Sequence, residues 1–361
     1  MLGVIASTNG SLGRYDQGFA ASDRELALLR EHGGSDLEMA RALIVRGELY
    51  RAHGLYAEAQ APLRHALSLL SGLSDVEADR GKALDELGMA LVNTRNEREA
   101  EGVLRQAIAL EERIHSDTAE PAEPMQNLSV LLSNEARYEE AAQLMNRAVE
   151  ILRQHASPDD PNMLMALGNY ASELMLLHQP VKAEPVMREA LARSAKVLGP
   201  KHTDTLIVQL QLGDTLTMLH RYAEAEGLLR AAAEELERNE GPSNKYTMGA
   251  WTSLAVSQCE GGDLNAGLEL ARRVAEIRKQ QSTLEGDWHA SAIQTVVGLC
   301  LVQLKRYAEA EPILTEARSR LEAARGPGHY TTQLNYQASQ ALYAATGRTD
   351  QADQMSRKIL H

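Results

Sequence analysis

Apolar and small residues recur along the chain in paired runs, each pair divided by a short polar turn. The clearest turn is written twice, as Arg221-Tyr222-Ala223-Glu224-Ala225-Glu226 and again from Arg306 to Glu311. Relatives stand at residues 55–60 and 137–142. With the turn tyrosine as anchor, equivalent positions fall at Tyr15, Tyr56, Glu97, Tyr138, Pro180, Tyr222, Leu264, Tyr307 and Thr349. The steps between them are 41, 41, 41, 42, 42, 42, 43 and 42 residues. A period of this length over a whole chain marks stacked supersecondary units.

Two small positions define each unit. Three after the anchor stand Gly18, Ala59, Ala100, Ala141, Ala183, Ala225, Gly267, Ala310 and Ala352. Nine before it stand Ala6, Gly47, Gly88, Ser129, Ala171, Gly213, Ala255 and Gly298, with Gln340 in the last copy. Small residues on both sides of a polar turn let two antiparallel helices approach closely, which predicts a helical hairpin with helix A before the anchor and helix B beginning at it. Leu or Met seven after the anchor (Leu63, Leu104, Met145, Met187, Leu229, Leu314) and Ala ten after it put one apolar stripe on helix B. Gly34, Gly199, Gly241 and Gly326, nineteen after their anchors, predict left-handed caps that end helix B. Thr205, Thr247 and Thr332, six residues beyond the last three glycines, predict the cap or first turn of the next helix A.

These residues resemble the tetratricopeptide repeat (TPR): a small residue in helix A, Tyr at the turn, Ala three later and Ala again along helix B. The 42-residue period and linkers such as Leu198–Leu206 are similar to the longer variety found in kinesin light chains and bacterial signalling proteins. The resemblance implies an all-α fold, a right-handed superhelical solenoid of about nine hairpins, with residues 1–361 as one continuous array. Fourteen residues precede Tyr15, fewer than a full helix A requires, so the chain reads as the C-terminal part of a longer protein.

Composition narrows the function. A formal charge of −13 lacks the basic stripe that nucleic acid demands. No apolar run has the length of a membrane span. Phosphate-loop, zinc-protease, nucleophile-elbow and dinucleotide motifs are all missing, so no catalytic residue, cofactor or metal is assigned and a non-enzymatic module is expected. His178 and His220 share the place two before their anchors, yet no third metal ligand recurs with them. Cys259 and Cys300 form no CxxC pair and no disulfide framework; they read as small apolar helix residues.

What remains is a surface. A stack of hairpins offers an extended concave face, and in the resembling family helix A lines it. Eleven before the anchor, successive units carry Glu86, Asn127, Asn169, Gln211 and Ser253. Side-chain amides both donate and accept, which suits them to hold an extended peptide backbone; the resemblance gives an Asn here that service. Gln126, Asn134, Ser172, Asp214 and Thr217 extend the expected groove. The clamp for chaperone C-termini needs Lys and Arg where this chain has Ile44, Glu48, Glu86 and Asn127, so no chaperone partner is expected. The expected partner is a peptide or protein segment, and the expected context is a sensory or recruitment module of a bacterial signalling protein. One such parent is a membrane-anchored serine/threonine kinase, which would put the array in the periplasm. The alternative is the ligand- or signalling-peptide-binding region of a transcriptional regulator.

Overall fold

A computed structural model describes residues 1–115, 117–157, 160–281 and 288–359. Among them are eighteen α-helices and no strand. The chain divides into two compact units, residues 1–173 and 174–361, and the division falls inside a helix.

Unit 1 holds α1 (Leu2–Ser11), α2 (Tyr15–His32), α3 (Asp36–Ala52), α4 (Tyr56–Leu70), α5 (Glu77–Asn93), α6 (Glu97–Ile114), α7 (Ala122–Asn134) and α8 (Tyr138–His155). It also takes most of α9 (Pro161–Leu176). Unit 2 holds α10 (Pro180–Val197), α11 (Thr203–Met218), α12 (Tyr222–Glu240), α13 (Lys245–Gly261) and α14 (Leu264–Gln281). It continues with α15 (Trp288–Gln303), α16 (Tyr307–Arg325), α17 (Tyr330–Ala345) and α18 (Thr349–Ser356). Every even-numbered helix starts on its anchor residue, including the four anchors that are not tyrosine.

A backbone device accounts for that regularity. The residue two before each anchor has positive φ in all nine turns: Gly13, Gly54, Arg95, Ala136, His178, His220, Gly262, Lys305 and Gly347. The next residue's N–H then reaches back five residues, as in Arg137 N to Leu132 O at 2.8 Å and Arg306 N to Leu301 O at 2.8 Å. This is a Schellman closure of helix A. His178 and His220 are therefore turn residues of the same kind, and His220 Nδ1 lies 2.6 Å from the Tyr222 hydroxyl. Among the described residues no cluster of three metal-ligating side chains occurs, and no helix is long and apolar enough to cross a membrane.

Small residues sit where two helices touch. Ala59, Ala100, Ala141, Ala183, Ala225 and Ala310 are wholly buried. A Cβ on Gly47, Gly88, Gly213 or Gly298 would fall 2.4 to 2.5 Å from the Leu sixteen residues later. In unit 1 a core of Leu26, Leu43, Ile44, Leu70 and Val76 forms between neighbouring hairpins. In unit 2 the corresponding core gathers Val297, Leu301, Leu314, Tyr336 and Leu342.

The linkers depart from expectation in two ways. The left-handed cap of α2 is Gly33, one before the predicted Gly34. Gly241 and Gly326 have φ of 84° and 79° but ψ of 164° and 171°, an extended region open essentially to glycine alone, so they turn the chain without forming a left-handed cap. The threonines take the first-turn place of their two expected roles, and other residues cap. His202, Asn244 and His329 accept the N–H two residues on, whereas Thr205, Thr247 and Thr332 lie buried in the first turn.

Cys259 on α13 and Cys300 on α15 form a disulfide, with Cα atoms 5.3 Å apart and both residues at most 1% exposed. This corrects the reading of two independent apolar residues. The cysteines stand five and seven before their anchors, so they are out of phase in the repeat yet face one another across two adjacent A helices.

Candidate functional site

The helix-A positions 15, 12, 11, 8 and 4 before the anchor share one face of each odd-numbered helix, by the 3.6-residue turn. On α7 that face presents Glu123, Gln126, Asn127, Val130 and Asn134; on α9 it presents Met165, Gly168, Asn169, Ser172 and Leu176. Val130, Met165 and Leu176 are large apolar residues left 39%, 58% and 42% exposed. Packing against the hairpin partner cannot account for them, because the opposite face of each helix supplies that core.

Asn127 is half-buried, and its Nδ2 donates to Asp85 Oδ1 at 2.8 Å across α7 and α5. Asn169 is half-buried on the next A helix, where no hydrogen bond engages its side chain among the described residues. Gln126 is 6% exposed and its Oε1 finds no donor. Beside these amides, Gly168 opens onto space in which an added Cβ would meet nothing within 4 Å. Ser172 is turned back on its own helix, donating to Gly168 O at 2.9 Å. Asn134 is exposed at the end of α7.

Charge on α3, α5 and α7 is dense. Arg51 on α3 bonds both carboxylate oxygens of Glu86, at 2.5 and 3.0 Å, and Lys82 pairs with Glu48. Burial holds Glu86 above the usual carboxylate range although Arg51 pulls it down. Burial and then the Glu123 charge push Asp85 up to about 8, opposed by the Asn127 amide. Glu123 itself is exposed and belongs to no ion pair among the described residues.

Unit 2 carries Gln211, Asp214 and Thr217 on α11 and Ser253 on α13. Asp214 is half-buried; its crowded surroundings raise it to about 6, and the Ser253 side chain draws it down. Gln211 is half-buried. Thr217 is 6% exposed and donates to Gly213 O at 3.0 Å, which leaves it little to offer a ligand. Elsewhere in unit 2, a groove of about 930 Å³ runs between α14, α15 and α16, lined among others by Arg272, Lys279, Val297, Ile313 and Arg320. None of the predicted amide residues lines it.

Sequence periodicity found the polar face but missed the apolar residues on it. Val130, Met165 and Leu176 occupy the same face positions as the amides, so the period alone contained that signal. It was overlooked because Leu, Met and Val in a helix read first as core.

A family model described as tetratricopeptide repeat matches residues 1–71 and 162–238. A second model of the same description matches residues 125–162. No curated protein matches the sequence. Among solved structures, the apo form of RapI superposes with a TM-score of 0.78 at 12% identity, covering 99% of this chain and 95% of that one. The apo form of the quorum sensor NprR from B. thuringiensis gives 0.67 at 12% identity, covering 99% and 96%. A putative kinesin light chain from Podospora anserina gives 0.51 at 18% identity, covering 59% of this chain and all of that one.

Proposed function

Because this chain belongs to the tetratricopeptide repeat family, we propose that it is a non-enzymatic module holding an extended peptide or protein segment on its helix-A faces. The observation that carries this reading is the step from α7 to α9. On α9 an unengaged Asn169 amide stands one turn from the exposed Met165 and next to the open space at Gly168, and on the matching face of α7 the orphan Gln126 Oε1 stands one turn from the exposed Val130. An amide that can donate and accept matches a peptide backbone, and an apolar patch beside it matches alternate side chains of an extended segment. Asn127 extends this face on α7, and within unit 2 Gln211, Asp214 and Ser253 hold the equivalent repeat positions on α11 and α13.

The test is selection of a displayed random peptide library on the purified protein, followed by affinity measurement on synthetic peptides. Asn169→Ala combined with Met165→Ser should weaken every selected peptide by about tenfold, the equivalent of one or two lost contacts. Undiminished affinity in that variant would remove this face from the function.

A second reading, a regulator responding to a signalling peptide, is favoured by one observation. The likeness to RapI and to the quorum sensor NprR spans nearly the whole chain, whereas the likeness to the kinesin light chain spans little more than half. We place both readings in bacterial signalling, with the array attached to a catalytic or sensory partner domain such as a membrane-anchored serine/threonine kinase. The genomic sequence flanking this chain tests whether a kinase or a DNA-binding domain is attached to it. Residues 1–361 form one array in this proposal, which separate expression of 1–173 and 174–361 tests: each fragment should unfold at lower temperature than the whole.

A further inference from the structure

Charges on the helix-B face are neutralised from one repeat to the next. Arg64 pairs with Glu99, Arg105 with Glu140 and Arg188 with Glu224, always from eight after one anchor to two after the next. The helix-A face of α3, α5 and α7 breaks this rule. Glu48, Asp85, Glu86 and Glu123 meet two cations, Arg51 and Lys82, and both cations are already committed, to Glu86 and Glu48. Asp85 and Glu123 feel these cations only at a distance and form no ion pair of their own among the described residues.

A second observation, independent of charge, marks the same place. Gln126 stands on the α7 face that carries Glu123 and Asn127, is 94% buried, and its Oε1 lacks a donor. Asp85 receives one N–H, from Asn127. The cluster therefore carries acceptors on three side chains, of which Gln126 Oε1 is wholly unpaired and Asp85 receives a single N–H. Buried acceptors normally find a donor, so a vacancy of this kind points outward.

We propose that Asp85, Glu123 and the Gln126 amide receive the guanidinium of an arginine side chain carried by the peptide bound on the helix-A face. A guanidinium brings five N–H donors in a planar fork and one positive charge, which matches both shortages at once. Lysine brings the charge with less suitable geometry. The inference rests on the peptide-binding reading above and specifies what that peptide must contain.

The raised Asp85 carboxyl agrees with this assignment. Its environment comprises Glu86 on its own helix, Arg51 from α3, and Glu123 and Asn127 from α7, and burial with the Glu123 charge disfavours ionisation. An arriving cation reverses that balance, so binding should release a proton and strengthen as pH rises from 6 to 9.

Peptides selected on the protein supply the probes, each made in two forms, with its arginine and with neutral citrulline in its place. Selection should enrich arginine at one position, and citrulline should weaken binding about tenfold or more. Asp85→Asn with Glu123→Gln should abolish the arginine advantage and its pH dependence, so that the arginine and citrulline peptides bind alike. Glu123→Gln alone, at an exposed position that does not threaten folding, should remove part of the advantage. Selected peptides without arginine enrichment that still weaken in Asn169→Ala would overturn this inference while the groove stands. Peptides indifferent to Asn169→Ala and Met165→Ser would overturn the groove and this inference with it. An arginine preference that survives the double charge variant would also overturn the assignment.

Discussion

Gly213 and Leu229 occupy one another's missing volume: a Cβ on Gly213 would lie 2.5 Å from both Cγ and Cδ2 of Leu229. The same pairing, sixteen residues apart, joins Gly47 to Leu63, Gly88 to Leu104 and Gly298 to Leu314. Where helix A carries Ala or Ser instead, helix B carries Met, Ala or Ser, as in Ala171 with Met187 and Ser129 with Met145. Gly213→Ala should therefore lower stability by about 1–3 kcal/mol through overpacking. Adding Leu229→Met, whose unbranched chain can bend aside, should recover much of that loss. Denaturant unfolding of the two single variants and the double variant measures the coupling.

Ala225 is wholly buried against the same hairpin, so Ala225→Leu should cost a similar ~1–3 kcal/mol. Each repeat meets only its neighbours, so the damage stays local. Hydrogen exchange should show lost protection in α11 and α12 while the ends of the chain change little.

Five turns place a side chain where glycine is at ease. Ala136 and Lys305 have φ of 60° and 59°, and four other turns already use Gly at the same position. Ala136→Gly and Lys305→Gly should each raise stability by about 0.5–1 kcal/mol, because relief of the left-handed backbone outweighs the added freedom of the unfolded chain. Thermal unfolding midpoints read the change, and a fall at both sites would contradict it.

Asp85 makes stability depend on pH in a direction opposite to most carboxylates. Its folded value of about 8 lies above the ordinary ~3.9 of an unfolded chain. The folded state then holds the proton more tightly, so this contribution is fully present below about pH 4 and is lost as pH rises toward 8. Asp85→Asn keeps an acceptor for Asn127 and should flatten that slope, gaining about 1–3 kcal/mol at pH 8 relative to pH 4. Urea midpoints collected across this range provide the check.

Removing the disulfide by Cys259→Ala with Cys300→Ala should cost about 2–4 kcal/mol, or a comparable loss on reduction of the wild type. The native protein should resist thiol-reactive labels, since both sulfurs belong to buried residues already joined. Mass spectrometry under non-reducing conditions distinguishes the bonded form.

How much of this was legible beforehand follows from what a period can carry. The anchors located the start of every helix B, even at Pro180 and Leu264, because the small residues around them recur in register. The disulfide escaped because Cys259 and Cys300 sit two positions out of phase, and only the packing of α13 on α15 brings them together. His202 and His329 went unread as caps because imidazole is an unusual acceptor there, while threonine is a familiar one. On the candidate site, the amide stripe was visible, but its state was not. Asn127 is tied to Asp85, so Asn127→Ala would strand a buried carboxyl, whereas Asn169→Ala removes an amide with no protein partner. Sequence gives residue type at a position, and the difference between an engaged and a free amide depends on the neighbour one repeat away.

The bond between α13 and α15 has a mechanical side. A chain pulled from its two ends lengthens as its hairpins give way, but force arriving at Cys259 passes through sulfur to Cys300 and bypasses the 41-residue span they enclose. At about 3.3–3.6 Å per extended residue, that hidden length is roughly 140 Å. The loop is a shielded segment: the last two residues of α13, all of α14 and most of α15 would bear no tension until a reductant cuts the shunt, at which point the tether would suddenly grow.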